Sequence, residues 1–431
     1  MKQVFLLFLA CLAIVVAEAQ PTPKEEIKNN VFLSASNGLA YPGPAQVKLT
    51  PAPKGKKPFY LSHYGRHGSR YQTSVRDYNY VLETLQKGNE RGKLTALGKE
   101  VLHRVELMND DADERQGDLT DLGIRQQKDI AHRMMERFPE LFKGAAVVDA
   151  HSTMVLRCVF SMENALHQML SENPKLCITH NATRQDMHYL NYIDRELNTA
   201  SASKEVRDAY DRYCREHACW QRPTELLFND TAYYRWQVNG ERLSYYLFRM
   251  AGSIQNTGLR DQVTLYDLFT DDEIYKNWQM ENAYWFLGYG FTSLNGGCQP
   301  FVQRRLLRRI VDQADSCLAL PRPGVQLRYG HETCLLPLVC LMNINHFGET
   351  IDDLNQLEQR GWVNYRAFPM AANVQLVFYR HDPSDKDVLV KVLLNEIEAT
   401  LPLPTDSAPY YRWADVRAYF LNKLDAYKEN N

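Results

Sequence analysis

The chain has 431 residues, of which 45% are hydrophobic and 24% charged, and its formal net charge is −2. This length is sufficient for a large core, with room for two subdomains. A net charge near zero gives no support to a nucleic-acid-binding function. Any affinity for strongly anionic small molecules must therefore come from local clusters of basic residues.

The first twenty residues have the pattern of a secretory signal. An early lysine precedes an apolar stretch at residues 4–16, and small residues at 17–19 resemble a cleavage site. The sequence therefore predicts a signal peptide at residues 1–19 and export to the periplasm or the medium, with lipid attachment through Cys11 as an alternative. Nowhere else does the sequence reach the ~18 apolar residues of a membrane span, so no stable span is expected.

Residues 21–58 are rich in proline and lysine, which predicts a loop that leads into a short strand. The following turn places His67 between Arg66 and Arg70 and contains two glycines. Phosphoryl transfer needs positive groups around the phosphate oxygens and an attacking atom in line with the leaving oxygen. Arginine binds phosphate oxygens in pairs and stays charged, while glycine allows close approach of the backbone. The turn is therefore predicted to form a phosphate pocket around a nucleophilic histidine.

Two alternatives exist for this turn. His63 and His67 are four residues apart, a spacing that puts two zinc ligands on one face of a helix. Two glycines directly after a strand argue against a helix, so His63 is expected to be a supporting or structural histidine. The second alternative is a solvated basic turn without a ligand.

Alternating helical and strand patterns follow. The apolar spacing predicts three helices and then a buried strand that ends at His151, with these elements at residues 78–87, 95–108, 120–138 and 145–150. In an open α/β sheet, ligands bind outside the carboxyl ends of the strands. Functional residues are therefore expected at those ends.

Residues 165–320 read as mostly helical and rich in aromatic side chains. Helical spacing explains most of these aromatics, so they are expected to pack in the core rather than to form a stacking platform. Strand patterns return at residues 325–329 and 374–379. The chain as a whole therefore reads as an α/β protein.

The chain contains nine cysteines, and loss of the signal peptide with Cys11 would leave eight. An even number in an exported protein predicts disulfide bonds, although the pairing cannot be read from the sequence. Local options are Cys214 with Cys219, Cys298 with Cys317, and Cys334 with Cys340.

Four motifs, in order along the chain, resemble those of the histidine acid phosphatases, the branch of the histidine phosphatase superfamily that includes phytases. They are Arg66-His67-Gly68-Ser69-Arg70-Tyr71; the Leu-Thr-x-x-Gly segment at Leu119 to Gly123; His151-Ser152-Thr153 with Arg157 and Ser161; and Tyr329-Gly330-His331-Glu332-Thr333 with the following Leu335-Leu336-Pro337-Leu338. The first and last motifs are most similar to those of the multiple inositol polyphosphate phosphatases. The resemblance extends from about residue 40 to at least residue 340.

The resemblance implies a central mixed sheet flanked by helices. Residues 20–164 and 321–431 would form this α/β core, and residues 165–320 would form an inserted, mostly helical domain that covers the active-site cleft.

The resemblance also implies a role for each motif residue. His67 would attack phosphorus to give a phosphohistidine, and Glu332 would protonate the leaving oxygen and then activate water. The phosphate would be surrounded by Arg66, Arg70, Arg157 and His331. A nucleophilic imidazole needs its other ring nitrogen held as a donor, for which a backbone carbonyl is expected. An acid that starts protonated favours activity at mildly acidic pH.

Two positions depart from the pattern of the family. His331 is followed directly by Glu332, whereas the inositol polyphosphate branch has His-Ala-Glu and the bacterial and fungal phytases have His-Asp. The reach of the acid, and with it the substrate preference, is therefore open, and Asp118 and Glu163 are the alternative acids. Gln72 stands where many relatives have proline, which is expected to affect the stiffness of the loop.

The sequence thus predicts an exported histidine acid phosphatase that hydrolyses phosphomonoesters, in the first place inositol polyphosphates such as phytate. A sugar-phosphate or general acid phosphatase of the same fold is one alternative, and a non-catalytic protein that binds anionic ligands is another. No metal or cofactor is expected, because the arginines supply the positive charge. A zinc protease is excluded because Leu335 stands where its second histidine would be.

Overall fold

The computed structural model describes residues 21–46 and 48–428, so the predicted signal peptide and Cys11 lie outside the described residues. Its centre is one sheet of eight strands. In chain order these are β1 (Lys57–Arg66), β2 (Val147–Ser152), β3 (Cys177–Asn181), β4 (Gly324–Gly330), β5 (Asn373–Arg380), β6 (Leu389–Leu394), β7 (Ile397–Glu398) and β8 (Tyr410–Arg412).

The sheet is mixed, as predicted. Its order is β3, β2, β4, β1, β5, β6 and β7, with β8 paired to β6. The first four strands in this order are parallel, and the remaining pairs are antiparallel. β1 and β4 are neighbours in register, with Arg66 opposite Gly330. The carboxyl ends of two central strands therefore meet at one point, and the residues that follow them share one site.

Side chains of β1 alternate between two apolar cores, one on each face of the sheet. Tyr60 and Tyr64 are buried with Leu307 and Leu335, from helices on one face. Leu61 is buried on the other face. β1 is therefore packed against an apolar core on each face, and the turn that follows it begins from a well-packed strand.

Sixteen α-helices surround the sheet in the described part of the chain. They are α1 (Pro23–Asn29), α2 (Val75–Glu90), α3 (Ala96–Ala112), α4 (Asp121–Arg137), α5 (Leu156–Glu172), α6 (Met187–Leu190), α7 (Arg195–Ser201), α8 (Lys204–His217), α9 (Gln221–Leu227), α10 (Thr231–Gln237), α11 (Gly240–Ser253), α12 (Asp271–Tyr289), α13 (Arg304–Leu318), α14 (Glu332–Met342), α15 (Asn364–Ala367) and α16 (Trp413–Ala426). The three helices predicted from apolar spacing are present as α2, α3 and α4.

The prediction of a loop throughout residues 21–58 is wrong at its start. α1 begins at a capping box, in which Thr22 Oγ1 accepts from Glu25 N–H at 3.3 Å and Glu25 Oε2 accepts from Thr22 N–H at 2.8 Å. Pro23 occupies the first helical turn, where a missing N–H costs nothing. The proline that indicates a loop by composition therefore starts a helix here.

A further apolar core lies among the helices outside the sheet. It joins α2, α3, α11 and α12 through buried side chains such as Val81, Val101, Leu247 and Trp278. Within residues 165–320, β3 nevertheless pairs with β2 of the sheet. The division into a core and an inserted domain remains a prediction.

The expectation of disulfide bonds is not met, since all eight cysteines of the described residues are free. Cys334 and Cys340 lie six residues apart on α14, which is ~9 Å along a helix axis. That exceeds the separation of ~7 Å that a disulfide can bridge. Among the described helices, none has the length and apolar character needed to cross a bilayer.

Candidate active site

The turn that carries His67 leaves the carboxyl end of β1 and is held by backbone hydrogen bonds on both sides. Arg66 N–H donates to Ala372 O at 2.8 Å, and His67 N–H donates to Gly330 O at 3.0 Å. The second bond links the turn to the end of β4, directly before His331 and Glu332. The first and last sequence motifs are thereby brought together.

The turn also packs against the start of α4 with no room for a side chain. A Cβ at Gly68 would lie 2.4 Å from Gly123 O, and a Cβ at Gly123 would lie 2.2 Å from Ser69 O. Thr120, the N-cap of α4, donates its hydroxyl to Ser69 O at 3.2 Å. The Leu-Thr-x-x-Gly motif therefore positions the turn by close backbone contact.

His67 is buried, and its two ring nitrogens have different surroundings. Nδ1 lies 2.9 Å from Gly68 O, so it carries the proton and donates to this carbonyl. Nε2 makes no hydrogen bond among the described residues, although Glu332 Oε2 lies 3.4 Å away. Burial lowers the pKa of His67 to about 3. The imidazole is therefore neutral, with a free electron pair on Nε2, and the expected backbone carbonyl partner is Gly68 O.

Arg66 and Arg70 direct guanidinium groups toward the same space. Arg66 is fully buried; its Nη1 donates to Phe368 O at 2.8 Å, and its Nη2 has no partner in the described structure. Arg70 donates from Nη1 to Tyr71 O at 2.9 Å, while its Nε is buried and unpaired. Burial lowers the pKa of Arg70 to about 10, which leaves the group charged near neutral pH.

Arg157 and His331 complete the predicted set. Arg157 lies in the first turn of α5, interacts electrostatically with Arg66, Arg70 and His331, and has a buried Nε without a described partner. His331 precedes α14, and its ring centroid is 5.8 Å from that of His67. Burial lowers the pKa of His331 to about 4, so this ring is also neutral.

The Glu332 carboxylate lies between these groups. Oε2 accepts from Arg66 Nε at 3.1 Å, and Oε1 lies 3.9 Å from Arg70 Nη2. Burial alone would raise the pKa of Glu332, but the charges of Arg66 and Arg70 outweigh it and hold the pKa well below its usual range. The expectation of an acid that starts protonated does not describe this ligand-free site, because two guanidiniums stabilise the ionised form.

The side chains of both alternative acids are more exposed than that of Glu332. Asp118 is exposed, and Glu163 is bound to His180 Nδ1 at 2.8 Å on the outer surface. His63 remains within β1, where its ring packs 5.3 Å from that of Tyr329. Burial lowers the pKa of His63 to about 3, in keeping with the expected structural role.

His67, His331 and Glu332 place one possible ligand atom each within 4.8 Å of one another, which by distance alone would suit a metal ion. The same carboxylate, however, is flanked by the guanidiniums of Arg66 and Arg70. Their positive potential opposes a second cation and favours an anion. The arrangement therefore suits an anionic ligand better than a metal.

Three residues outside the turn support it through hydrogen bonds. Gly68 N–H donates to Ser161 Oγ at 3.1 Å, and Ser69 N–H donates to Gln126 Oε1 at 2.8 Å. Ser69 Oγ donates to Asn256 Oδ1 at 2.6 Å. Ser161 belongs to a recognised motif, and Gln126 could have been found from its place one turn after Gly123. No sequence pattern marks Asn256, which the fold brings next to Ser69 from 187 positions away.

The aromatic side chains of residues 165–320 divide into two groups. Trp278 and Phe286 are fully buried, as expected of core packing. Tyr245 and Tyr284 are exposed, and with Trp285 they line a cavity of about 580 Å³. The expectation of core packing therefore holds for Trp278, Phe286 and Trp285, which is buried in the main apolar core, and is wrong for Tyr245 and Tyr284.

Comparison with known proteins agrees with the family resemblance that the sequence motifs indicate. The family model of the histidine phosphatase superfamily (branch 2) matches residues 65–395. Among solved structures, the Bifidobacterium longum multiple inositol polyphosphate phosphatase complex with inositol hexasulfate aligns with a TM-score of 0.75 over 90% of this chain and 97% of that chain, at 13% identity. The phytase from D. castellii aligns with a TM-score of 0.66 over 92% and 86%, at 14% identity.

The apo form of Hafnia alvei phytase aligns with a TM-score of 0.52, over 86% of this chain and 98% of that chain, at 12% identity. At such low identities the likeness to solved structures shows the fold alone. A search of curated proteins gave no match.

Proposed function

Because the chain belongs to the histidine phosphatase superfamily (branch 2), we propose that it is a phosphomonoester hydrolase in which His67 is the nucleophile. One observation carries the proposal. Four buried nitrogens on four neighbouring residues have no hydrogen-bond partner among the described residues: Arg66 Nη2, His67 Nε2, Arg70 Nε and Arg157 Nε. Buried polar atoms are nearly always paired. A phosphoryl group would offer acceptor oxygens to the guanidiniums and its phosphorus to the imidazole.

The first half-reaction forms a phosphohistidine. The electron pair of His67 Nε2 attacks phosphorus, an N–P bond forms, and the P–O bond to the ester oxygen breaks. Glu332, carrying a proton at this stage, transfers it to the leaving oxygen, which departs as an alcohol. Arg66, Arg70 and Arg157 stabilise the charge on the three equatorial oxygens.

The substrate phosphate also prepares the acid. In the ligand-free site the pKa of Glu332 is low because the carboxylate is the counter-ion of Arg66 and Arg70. A bound phosphate takes over that pairing and adds negative charge beside the carboxylate, and both changes raise its pKa. Glu332 then becomes protonated as the substrate is bound.

The second half-reaction releases phosphate. Glu332, ionised after the first step, accepts a proton from a water molecule that attacks phosphorus opposite His67. A P–O bond forms, the N–P bond breaks, and its electron pair returns to Nε2. Inorganic phosphate leaves, Glu332 releases its proton to water as its carboxylate pairs with the guanidiniums again, and the starting state is restored.

Inositol phosphates are the first substrate class to test. The motifs resemble those of the multiple inositol polyphosphate phosphatases, and two solved neighbours are complexes with inositol hexasulfate and myo-inositol hexakis sulphate. Sugar phosphates and other monoesters are the alternative, because the phosphate pocket does not distinguish among alcohols. Export is also proposed, on the signal-like pattern of residues 1–19, and N-terminal sequencing of protein recovered from outside the cytoplasm tests it.

The phosphohistidine can be trapped directly. Protein incubated with ³²P-labelled ester in the presence of EDTA and quenched in alkali should carry label on His67, located by mass spectrometry of peptides. His67→Ala should carry none and release no phosphate, whereas His103→Ala, at an exposed position, should behave as the unaltered protein. Turnover by His67→Ala, or label on another residue, would overturn the proposal.

A further inference from the structure

Two adjoining cavities lead away from Arg70. The smaller, of about 50 Å³, is lined in part by Arg70 and Gln72, and the larger, of about 580 Å³, lies between α8, α11 and α12. Both are lined by Asn37, Phe248, Arg249 and Glu281. The larger volume falls within the range typical of small-molecule sites, ~300–1,000 Å³. The body of a substrate whose phosphate lies beside Arg70 would therefore extend into this cleft.

The wall of the smaller cavity contains an unpaired acceptor. Gln72 is 6% exposed, and its Nε2 donates to Arg249 O at 3.1 Å, which fixes the orientation of the amide. Its Oε1 is buried and has no partner among the described residues. An ionised phosphate oxygen is itself an acceptor and cannot form a hydrogen bond with this carbonyl oxygen, whereas a hydroxyl group would donate to it.

The charges of the larger cavity are also unsuited to a polyanion. Its described lining contains three carboxylates and two arginines, with no lysine: Asp211, Glu241, Glu281, Arg242 and Arg249. Each arginine has one contact within the protein, and the buried Nε of Arg249, which has no hydrogen-bond partner among the described residues, is left as a single donor for a hydroxyl oxygen of a ligand. Arg249 Nη2 is 3.0 Å from Asp77 Oδ2, and the Arg242 guanidinium lies 4.3 Å from the ring centre of Tyr80.

Glu281 lines both cavities at the centre of this wall. Burial raises the pKa of its carboxyl group, and Arg249 opposes that shift. The Trp285 indole lies near the carboxyl group of Glu281. By distance and angle, however, its buried N–H makes no hydrogen bond among the described residues. An acceptor and a donor are therefore both available to a hydroxyl group of a ligand.

Exposed aromatic rings complete the cleft. Tyr245 is 37% exposed and Tyr284 is 54% exposed, and both line the larger cavity together with Trp285. Aromatic faces provide apolar surface for the C–H side of a saturated ring, while polar groups at the edges fix its hydroxyls. A row of phosphates around the ring would prevent both kinds of contact.

Resting on the function proposed above, we infer that this cleft selects phosphomonoesters of a ring that keeps most of its hydroxyl groups free, such as a hexose phosphate or an inositol monophosphate, over inositol hexakisphosphate. Gln72 and Glu281 accept from hydroxyls of the ring. Tyr245 and Tyr284 pack against its C–H face.

The test is a comparison of kcat/KM on four substrates: inositol 1-phosphate, glucose 1-phosphate, inositol hexakisphosphate, and p-nitrophenyl phosphate as a reference without hydroxyls. The monophosphates should exceed inositol hexakisphosphate by about tenfold or more, the range that one or two buried hydrogen bonds provide. Glu281→Gln keeps the shape of the side chain and removes a negative charge that repels a polyanion. It should therefore bring kcat/KM on inositol hexakisphosphate closer to kcat/KM on the monophosphates. Gln72→Leu should lower kcat/KM for inositol 1-phosphate about tenfold more than for p-nitrophenyl phosphate. Glu205→Gln, on the exposed face of α8, is the control.

The outcomes separate the two proposals. Phosphate release from p-nitrophenyl phosphate together with a higher kcat/KM on inositol hexakisphosphate than on inositol 1-phosphate would overturn the cleft inference and leave the phosphatase intact. Equal effects of Gln72→Leu on the hydroxylated ester and the reference would likewise overturn the role of Gln72. Absence of release from all four esters would contradict the proposed function itself.

Discussion

Arg66 Nε donates to Glu332 Oε2 at 3.1 Å, so the proposed acid of the reaction is bound by the proposed phosphate clamp. The same carboxylate oxygen lies 3.4 Å from His67 Nε2, in front of the proposed nucleophile. The Glu332 carboxylate thus pairs with the proposed clamp, and in the proposed reaction a substrate phosphate displaces it before His67 attacks.

Glu332→Gln should consequently bind inorganic phosphate more tightly. The amide can still accept from Arg66 but carries no charge, so it competes less well for the guanidiniums. We expect Kd to fall by up to about tenfold, the value of one charge-assisted hydrogen bond, measured by isothermal titration calorimetry. Glu163→Gln, on the outer surface, serves as the control. Unchanged or weaker phosphate binding would show that the carboxylate does not compete for the site.

The same variant should lose turnover in proportion to the basicity of the leaving oxygen. A general acid contributes ~10²–10⁴-fold to the breaking of a bond to a poor leaving group. We expect Glu332→Gln to slow an inositol or sugar phosphate by this order, and p-nitrophenyl phosphate far less, because nitrophenolate leaves without a proton. Steady-state rates on both esters measure the difference. Equal losses on the two would remove Glu332 from the role of acid.

The contact between Gly68 and Gly123 should be intolerant of any side chain. Gly68→Ala would place a Cβ 2.4 Å from Gly123 O, and the backbone oxygen cannot move without shifting α4. We expect a loss of ~1–3 kcal/mol in the free energy of unfolding, together with most of the activity. Denaturant unfolding measures the first, and Gly258→Ala, where a Cβ meets open space, is the control. Wild-type stability and activity in Gly68→Ala would show that the turn is not held by this contact.

His151 should stabilise the protein more at acid than at alkaline pH. Its ring nitrogens lie 3.1 Å from Asp149 Oδ2 and 3.1 Å from Asp186 Oδ2, and the hydrogen bond to Asp149, followed by that to Asp186, raises its pKa. A pKa higher in the folded than in the unfolded state adds stability that is full below the unfolded value of about 6.5 and is lost as pH rises through the folded value.

His151→Gln should therefore lose about 1 kcal/mol at about pH 5, the order of a partly exposed ion pair, and less at about pH 9. Urea unfolding at both pH values measures this, with His103→Gln as the exposed control. A larger loss at the alkaline pH would reverse the sign of the argument.

Activity should persist at pH values well below the ordinary pKa of histidine. The pKa of His67 is lowered to about 3 and that of His331 to about 4 by burial. Both rings therefore stay neutral as the pH falls toward those values, and His67 keeps its free electron pair. We expect kcat/KM, corrected for ionisation of the substrate, to show no loss from histidine protonation between about pH 7 and about pH 5. A decline centred near pH 6.5, the ordinary value for histidine, would contradict the burial of His67.

Much of the site was readable from the sequence because its residues are neighbours along the chain. Arg66, His67 and Arg70 occupy a single turn, and His331 and Glu332 are adjacent, so two motifs contain most of the pocket. The strands that carry them were recognisable from their apolar patterns, which predicted functional residues at the carboxyl ends of the strands. The mixed sheet itself was implied by the resemblance to the family.

The remainder depends on distances across the chain that no local pattern encodes. Arg66, whose charge lowers the pKa of Glu332, is 266 positions away from it in the sequence, although its Nε lies only 3.1 Å from Glu332 Oε2. The orientation of the Gln72 amide depends on its hydrogen bond to the Arg249 carbonyl of α11, 177 positions away in the sequence. α1, in contrast, was signalled by the pair Thr22 and Glu25, which the proline-rich composition obscured.

The hydrogen bonds around the nucleophile also bear on how the protein is made. They join Gly68 to Ser161, Ser69 to Asn256 and Arg66 to Glu332, which are 93, 187 and 266 positions apart. Contacts between such distant residues form only after long stretches of chain have been ordered. A ribosome-bound chain that has not yet reached the end of β4 lacks Gly330, which positions His67, and Glu332, which lies beside its Nε2. The nascent protein therefore cannot assemble the proposed active site before the first four of its eight strands and the start of α14 have emerged.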